Sequence, residues 1–310
     1  MMRSIFLLLL LFASCRESNP PPPNATGEAG IALGKRLFFD TALSGNDKLS
    51  CASCHVPALA FTDGQARSRA GASGRQLHRN TPPLFNLAWA KNGLFWDGGA
   101  KNLESLSLAP LRHPDEMATD LKTLPHKLSQ RPPYPELFRT AFGTDSITLA
   151  QVLRALAQYE RSLVSFAAPF DRQRLDPTAR AGYEVYQQHC AACHREGLFT
   201  DHEYHNNGLD ATFPADWEHP AQGRYRITLD SNDLGKYRTP TLRNLAFTAP
   251  YMHDGRLPTL SAVLDHYTSG IQDSPTLAPL LRGGIPLTTQ ERKQLLAFLQ
   301  SLNDSAFVGR

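Results

Sequence analysis

Two five-residue stretches, Cys51-Ala52-Ser53-Cys54-His55 and Cys190-Ala191-Ala192-Cys193-His194, decide how this chain is read. Each is C-x-x-C-H, the attachment signature of c-type haem. Two thiols three residues apart reach the two vinyl groups of one porphyrin, and the next histidine is placed to ligate the iron from the proximal side. A structural zinc site would want four ligands grouped locally, whereas these two motifs lie in opposite halves of the chain. A thioredoxin-like dithiol accounts for one such motif but not for two copies. Cys51, Cys54, Cys190 and Cys193 are therefore expected to hold two covalent haem c groups, with His55 and His194 as their iron ligands.

The flanks of the motifs repeat as well. Gly34-Lys35-Arg36-Leu37-Phe38 precedes the first and Gly182-Tyr183-Glu184-Val185-Tyr186 the second, a small residue followed by an aromatic one turn later. This start resembles the N-terminal helix of class I cytochromes c. Each half then ends in an apolar stripe of period near 3.6 opened by a capping box, Thr148-x-x-Gln151 and Thr288-x-x-Glu291. Ala167–Pro177, with two prolines and several charges, breaks the helical pattern and marks a boundary. The expectation is a mainly α protein of two cytochrome c-like haem domains, residues 31–166 and 178–310, packed around an inter-domain interface.

The N-terminus reads MMRSIFLLLLLFAS, one Arg and an apolar run too short to span a bilayer. Residues 1–14 are thus expected to be a signal peptide. Cys15 follows Phe12-Ala13-Ser14, which resembles a bacterial lipobox, so Cys15 is expected to carry lipid. Residues 15–30, with Pro20-Pro21-Pro22-Pro23, read as an extended tether. The chain is expected to be exported, periplasm-facing and attached to the membrane through its lipid alone.

The whole sequence has 310 residues, 41% hydrophobic and 20% charged, enough apolar material for a sizeable core and too much for a disordered chain. A net charge of +3 argues against a nucleic-acid partner bound by phosphate neutralisation. Of the five cysteines, four belong to the haem motifs and Cys15 to the anchor, which leaves no disulfide framework.

Further segments carry a family resemblance: Arg79-Asn80-Thr81-Pro82, Phe95-Trp96-Asp97-Gly98, Leu103-Glu104, Ala109-Pro110 and Pro114-Asp115-Glu116-Met117 in the first half. In the second half they are Thr239-Pro240-Thr241-Leu242-Arg243-Asn244 and Ala249-Pro250-Tyr251-Met252-His253-Asp254-Gly255. In this order, around two haem motifs, the chain resembles the bacterial di-haem cytochrome c peroxidases, the family that includes the MauG enzymes. The resemblance implies reduction of hydrogen peroxide to water at the His55 haem, with electrons from a small c-type cytochrome or copper protein entering through the His194 haem. Glu116 matches the distal glutamate and Trp96 the tryptophan between the haems. Asn80, with the carbonyls of Thr248 and Pro250, matches an inter-domain calcium site, and oxygen donors of this kind suit calcium. Members are often homodimers. A carboxylate beside an open iron position has the chemistry to carry a proton from one peroxide oxygen to the other.

Three departures from the family stand out. Leu106 occupies the place of a common glutamine, and Gly99 that of a common arginine. In the loop Ser68–Arg79, Ala72 or Ser73 stands where many members carry a histidine that blocks the peroxidatic iron, so that iron is expected to be open in the oxidised protein. In the helix after the Pro250–Gly255 segment, Tyr267 falls where peroxidases place the sixth ligand of the second haem and where MauG-type enzymes use tyrosine. Met252, the only methionine of the second half, remains an alternative, as do His253 and His266. A phenolate ligand would favour the higher oxidation states. Two other functions stay in view: a MauG-like oxidase acting on a protein or organic substrate through oxidising equivalents held on its haems, and a non-catalytic di-haem electron-transfer protein. His202-x-x-His205 has metal-like spacing but lacks a nearby third ligand in the sequence.

Overall fold

The computed structural model describes residues 27–216 and 219–309. The signal segment and Cys15 lie outside these residues. No helix among those described is long and apolar enough to cross a membrane.

The first half carries α1 (Gly27–Phe39), α2 (Leu103–Arg112), α3 (Leu124–Ser129), α4 (Tyr134–Phe142) and α5 (Leu149–Ser162). The second carries α6 (Pro177–His189), α7 (Tyr225–Thr228), α8 (Leu260–Asp265), α9 (Thr289–Gln300) and α10 (Ser305–Val308). Among the described residues, extended structure is limited to one antiparallel pair, β1 (Tyr204–His205) with β2 (Tyr237–Arg238), and a few isolated bridges. The protein is mainly helical, as its sequence implies. Long irregular stretches fill the space between helices.

The two halves repeat one helix crossing. In α1, a Cβ on Gly34 would lie 1.8 Å from the Ala155 carbonyl oxygen of α5; in α6, a Cβ on Gly182 would lie 1.9 Å from the Gln294 carbonyl of α9. Only glycine lets the backbones approach this closely. The aromatic one turn later then packs on the partner helix. Phe38 stacks edge-on against Tyr159 at 5.2 Å, and Tyr186 meets Phe298 at 5.0 Å. Both capping boxes form: the Thr148 hydroxyl accepts from the Gln151 N–H, and Thr288 does the same for Glu291. Burial of Leu33, Leu37, Phe38, Val152 and Leu156 on the first crossing contributes about 1.5–3 kcal/mol per side chain.

Two boundaries differ from the sequence reading. Helix α1 begins at Gly27, four residues inside the stretch expected to be tether, because Gly30 and Leu33 already bury against the core. At the other end α10 leaves the second half. Phe307 packs against Phe61 at 5.8 Å and Phe85 at 5.6 Å, joining the first core. Asp304 directs this return: its buried carboxylate caps α10 and accepts from the Ser165 hydroxyl and the Ala167 N–H. The C-terminus therefore clamps the halves together. The junction also binds in the opposite sense, since Arg243 grips Asp171 of the linker through two short bonds, 2.8 and 2.9 Å.

Candidate functional site: two haem cradles and the bridge between them

In the first motif, Cys51–Ser53 form a 3-10 turn after Ser50, closed by Cys54, whose N–H donates to the Cys51 carbonyl. His55 donates from Nδ1 to the Phe61 carbonyl at 2.7 Å. That bond fixes the tautomer and leaves Nε2 free, the arrangement an iron ligand requires. Burial keeps the ring neutral. The second motif is built alike: His194 Nδ1 lies 3.1 Å from both the Phe199 and the Pro240 carbonyls, and burial again holds the ring neutral. All four motif thiols are unpaired. Two thiols, one neutral imidazole with a free nitrogen, and apolar walls are the donor set haem c needs, present twice.

Glu116 sits in the turn after α2. Its carboxyl acts electrostatically on the Cys51 and Cys54 thiols, so it faces the first cradle. Burial pushes its pKa up from the ordinary glutamate value. The loop 68–79 lies directly on this turn. Ala72 N–H donates to the Glu116 carbonyl at 2.7 Å, and a Cβ on Gly71 would lie 2.1 Å from the Asp115 carbonyl. Arg75 pairs with Asp115 at 2.8 Å, and Ser73 hydrogen-bonds the same carboxylate. Leu106 is buried in the core formed by the first-half helices.

Trp96 joins the halves. Its Nε1–H donates to the Asn80 carbonyl at 2.9 Å, and its own carbonyl accepts from the Arg238 N–H at 2.8 Å. The neighbouring Asp97 is buried and binds Arg79 at 2.6 Å and Arg226 at 3.5 Å. A small cleft opens here, lined by Phe95, Trp96 and Pro82 from the first half and His202, Arg238 and Pro240 from the second. The Arg238 guanidinium is buried in it with Nε unpartnered, and its Nη2 reaches only the ring of His202, at 3.3 Å. Burial, with that neighbouring cation adding to it, pushes the His202 pKa down to about 4. A cation without a carboxylate partner fits a haem propionate. The sequence offers the arginines around 67–79 and 224–243 alike as partners of haem propionates or solvent, and the pairing across β1 and β2 brings Arg238 to the cleft.

Asn80 donates from Nδ2 to the Gln65 carbonyl at 2.7 Å and from its backbone N–H to the His253 carbonyl at 2.8 Å. This places it beside the segment holding Thr248 and Pro250. His205 pairs with Asp201 at 2.8 Å, within reach of the Cys193 sulfur. Because Cys193 belongs to the haem motif, the remaining His–Asp pair is too sparse for a separate metal site.

Four side chains compete near the second cradle. His253 stacks flat on Tyr237, ring centres 3.7 Å apart, and is occupied there. His266 is buried with Nε2 on the Asn207 carbonyl at 3.0 Å. Met252 Sδ accepts from the Asn207 amide at 3.4 Å. Tyr267 lies in a single π-turn, His266–Gly270, that ends α8; such turns recur at functional sites. Its buried hydroxyl is within electrostatic reach of Cys190, Cys193 and the Asn207 amide. Asn207 had no signal in the sequence.

Comparison with known proteins agrees with this arrangement. Residues 28–177 match the family model for di-haem cytochrome c peroxidase, and residues 179–303 that for cytochrome c. The methylamine utilization protein MauG of Methylorubrum extorquens is 39% identical, covering 92% of this chain and 82% of the relative. A cytochrome-c peroxidase of Pseudomonas sp. (strain SCT) is 34% identical, covering 92% and 83%. A MauG-like protein associated with microbial copper homeostasis, known from a crystal structure, superposes with a TM-score of 0.86 at 32% identity, over 96% of each chain.

Proposed function

Because the chain belongs to the di-haem cytochrome c peroxidase family and is a peroxide-acting oxidoreductase with two haem c groups, we propose that the cradle of Cys51, Cys54 and His55 is where peroxide reacts. The observation that carries this reading is the placement of Glu116: a half-buried carboxyl facing that cradle, under a loop with no histidine at Ala72 or Ser73. When bound, the haem supplies the redox iron at which the O–O bond is cleaved and through which two electrons are delivered. Glu116 takes the proton from one peroxide oxygen and returns it to the other, which departs as water. His55, held through Nδ1, supplies Nε2 on the proximal side. Two further protons and two electrons complete the balance to a second water.

Trp96 provides the path between the cradles, fixed by Asn80 on one side and Arg238 on the other. Electrons come from a cytochrome donor; a small copper protein is a further candidate. Asn80 with the carbonyls of Thr248 and Pro250 holds calcium and so keeps Trp96 in place. Arg238 receives a propionate in the inter-domain cleft. The protein is exported to the periplasm, with Cys15 lipidated at the membrane surface.

A second reading, a MauG-like oxidase of a protein or organic substrate, is favoured by one observation. The buried hydroxyl of Tyr267 lies within electrostatic reach of both thiols of the second cradle, whereas Met252 Sδ is engaged by the Asn207 amide. Steady-state peroxide turnover with reduced cytochrome c, in wild type and Glu116→Gln, separates the readings. Fast turnover abolished in the variant supports the peroxidase. Slow turnover with a long-lived oxidised state supports the oxidase. No reaction with peroxide would leave an electron carrier.

A further inference from the structure

Asn207 contacts three of the four side chains that could ligate the second iron. Its carbonyl engages the His266 ring at 3.0 Å, its Nδ2 donates to Met252 Sδ at 3.4 Å, and its amide lies within electrostatic reach of the Tyr267 hydroxyl. The loop that presents it is pinned on both sides. Asn206, buried, donates from Nδ2 to Ser274 and Thr276, each at 2.9 Å, while its own carbonyl accepts from Ala278 at 3.0 Å. Gly208 sits at φ +69°, its N–H on the Asn206 carboxamide oxygen, where a Cβ would lie 2.5 Å from Ile271 Cγ2. The amide of residue 207 therefore has little freedom to move.

We propose that Asn207 is a positioning residue that selects the sixth ligand of the second haem, orienting the Tyr267 oxygen toward the iron and holding the Met252 thioether back; this rests on the Tyr267 reading above. The chemistry of the amide favours that outcome. A primary amide has two N–H donors, enough for one bond to each competitor. Its bond to an anionic phenolate is charge-assisted, whereas a thioether is a weak acceptor. The pair of bonds is therefore worth most when tyrosine is on the metal and methionine is not. The His266 ring is withdrawn by the carbonyl of the same residue, so substitution of the Asn207 side chain leaves that contact in place. Partners of this kind around a metal ligand decide its orientation and donor strength.

The test uses the full-length protein loaded with both haems and reads the ferric absorption and magnetic circular dichroism spectra and the reduction potential of the second haem. In Asn207→Leu the sulfur-to-iron charge-transfer band of His–Met ligation is expected to appear and the potential to rise. Adding Met252→Leu is expected to abolish that band. If Asn207→Leu does not take up two haems, Asn207→Ser removes the amide with less bulk, and the same changes are expected. A wild-type spectrum and potential in whichever of these variants loads both haems overturns the proposal, and so does a raised potential without the sulfur band. Tyr267→Phe distinguishes the premise: if it leaves the wild-type spectrum intact, tyrosine is not the ligand and the reading beneath the proposal falls. A changed Tyr267→Phe spectrum with an unchanged Asn207 variant leaves tyrosine as ligand and removes only the selecting role.

Discussion

Ala72 donates its backbone N–H to the Glu116 carbonyl at 2.7 Å, which lays the loop 68–79 on the turn that carries the Glu116 carboxyl. A backbone bond of this kind is indifferent to the side chain at residue 72, and the methyl group there has no atom able to ligate iron. On the proposed reading, residue 72 would then supply no ligand to the first iron, and that iron is expected to have an open position in the oxidised protein. The electron paramagnetic resonance spectrum of the diferric protein as isolated is expected to show a high-spin ferric component. Ala72→His is expected to diminish it by supplying a ligand. A wholly low-spin spectrum of the wild type would contradict the open position.

Glu116→Gln keeps the shape of the side chain and removes its ability to exchange a proton. Peroxide reactivity is expected to fall by a factor on the order of 10²–10⁴, the span typical of a lost general acid–base group. In the wild type the carboxylate must first accept a proton, so the rate falls as pH drops through the pKa of Glu116. Burial raises that pKa above the ordinary 4.5, so the acid limb of the pH–rate profile is expected above this value and to vanish in the variant. An unchanged profile would assign the proton transfer elsewhere.

Much of this arrangement was legible in the sequence because it is local. The C-x-x-C-H motifs, the capping boxes at Thr148 and Thr288, and the glycine-to-aromatic starts at Gly34 and Gly182 are each set by residues a few positions apart. What escaped depends on distant chain segments. The return of Phe307 to the first core is driven by contacts with Phe61 and Phe85, more than 200 residues earlier. Asn207 carries no motif, and the pinned loop at Asn206 brings it to the second cradle; Arg238 is one of several arginines open to a propionate, and the β1–β2 pairing places it in the cleft. The π-turn at His266–Gly270 has no composition signal either, yet within it His266 engages Asn207's carbonyl while Tyr267 engages its side chain.

The helix crossing of the second half offers a test of packing. Gly182→Ala would push a methyl group into the Gln294 carbonyl and the Phe298 Cβ, 2.9 Å away. Backbone cannot yield here as a flexible side chain would. Overpacking of this sort costs about 1–3 kcal/mol, occasionally more. The thermal midpoint of the haem-loaded variant is expected to drop by several degrees, with the haem spectrum of the second half altered more than that of the first. An unchanged midpoint would show that α6 and α9 can separate freely.

Glu160 of α5 is buried, with one oxygen 3.1 Å from the Ser107 hydroxyl and the other unpartnered. Burial pushes its pKa up to about 8. Between about 4.5 and 8 the folded state keeps a proton that the unfolded state releases, so stability declines as pH rises through this window. Glu160→Gln retains the bond to Ser107 and cannot ionise. It is expected to stabilise the protein at pH 7–8 by on the order of 1 kcal/mol or more and to flatten the decline, with little effect near pH 4.5. Denaturant midpoints at pH 5 and pH 8 check this, and equal pH dependence in both proteins would mean that the carboxyl is ionised in the fold.

Asn80 binds Trp96 through its carbonyl at 2.9 Å and the 249–254 segment through its N–H at 2.8 Å, while its carboxamide is anchored by Nδ2 to Gln65. On the proposed reading, calcium bound by the carboxamide oxygen would fasten Trp96 to both halves through oxygen ligands. Chelation is then expected to shift the spectra of both haems together and to slow electron transfer between them, although neither iron ligand is removed. Calcium should restore both properties. Magnesium should not, since it demands a tighter octahedral shell. Asn80→Ala should mimic chelation and lose the response to added calcium. Metal analysis of the purified protein provides the direct check: an absence of stoichiometric calcium, with spectra indifferent to chelator, would mean that hydrogen bonds alone hold the tryptophan.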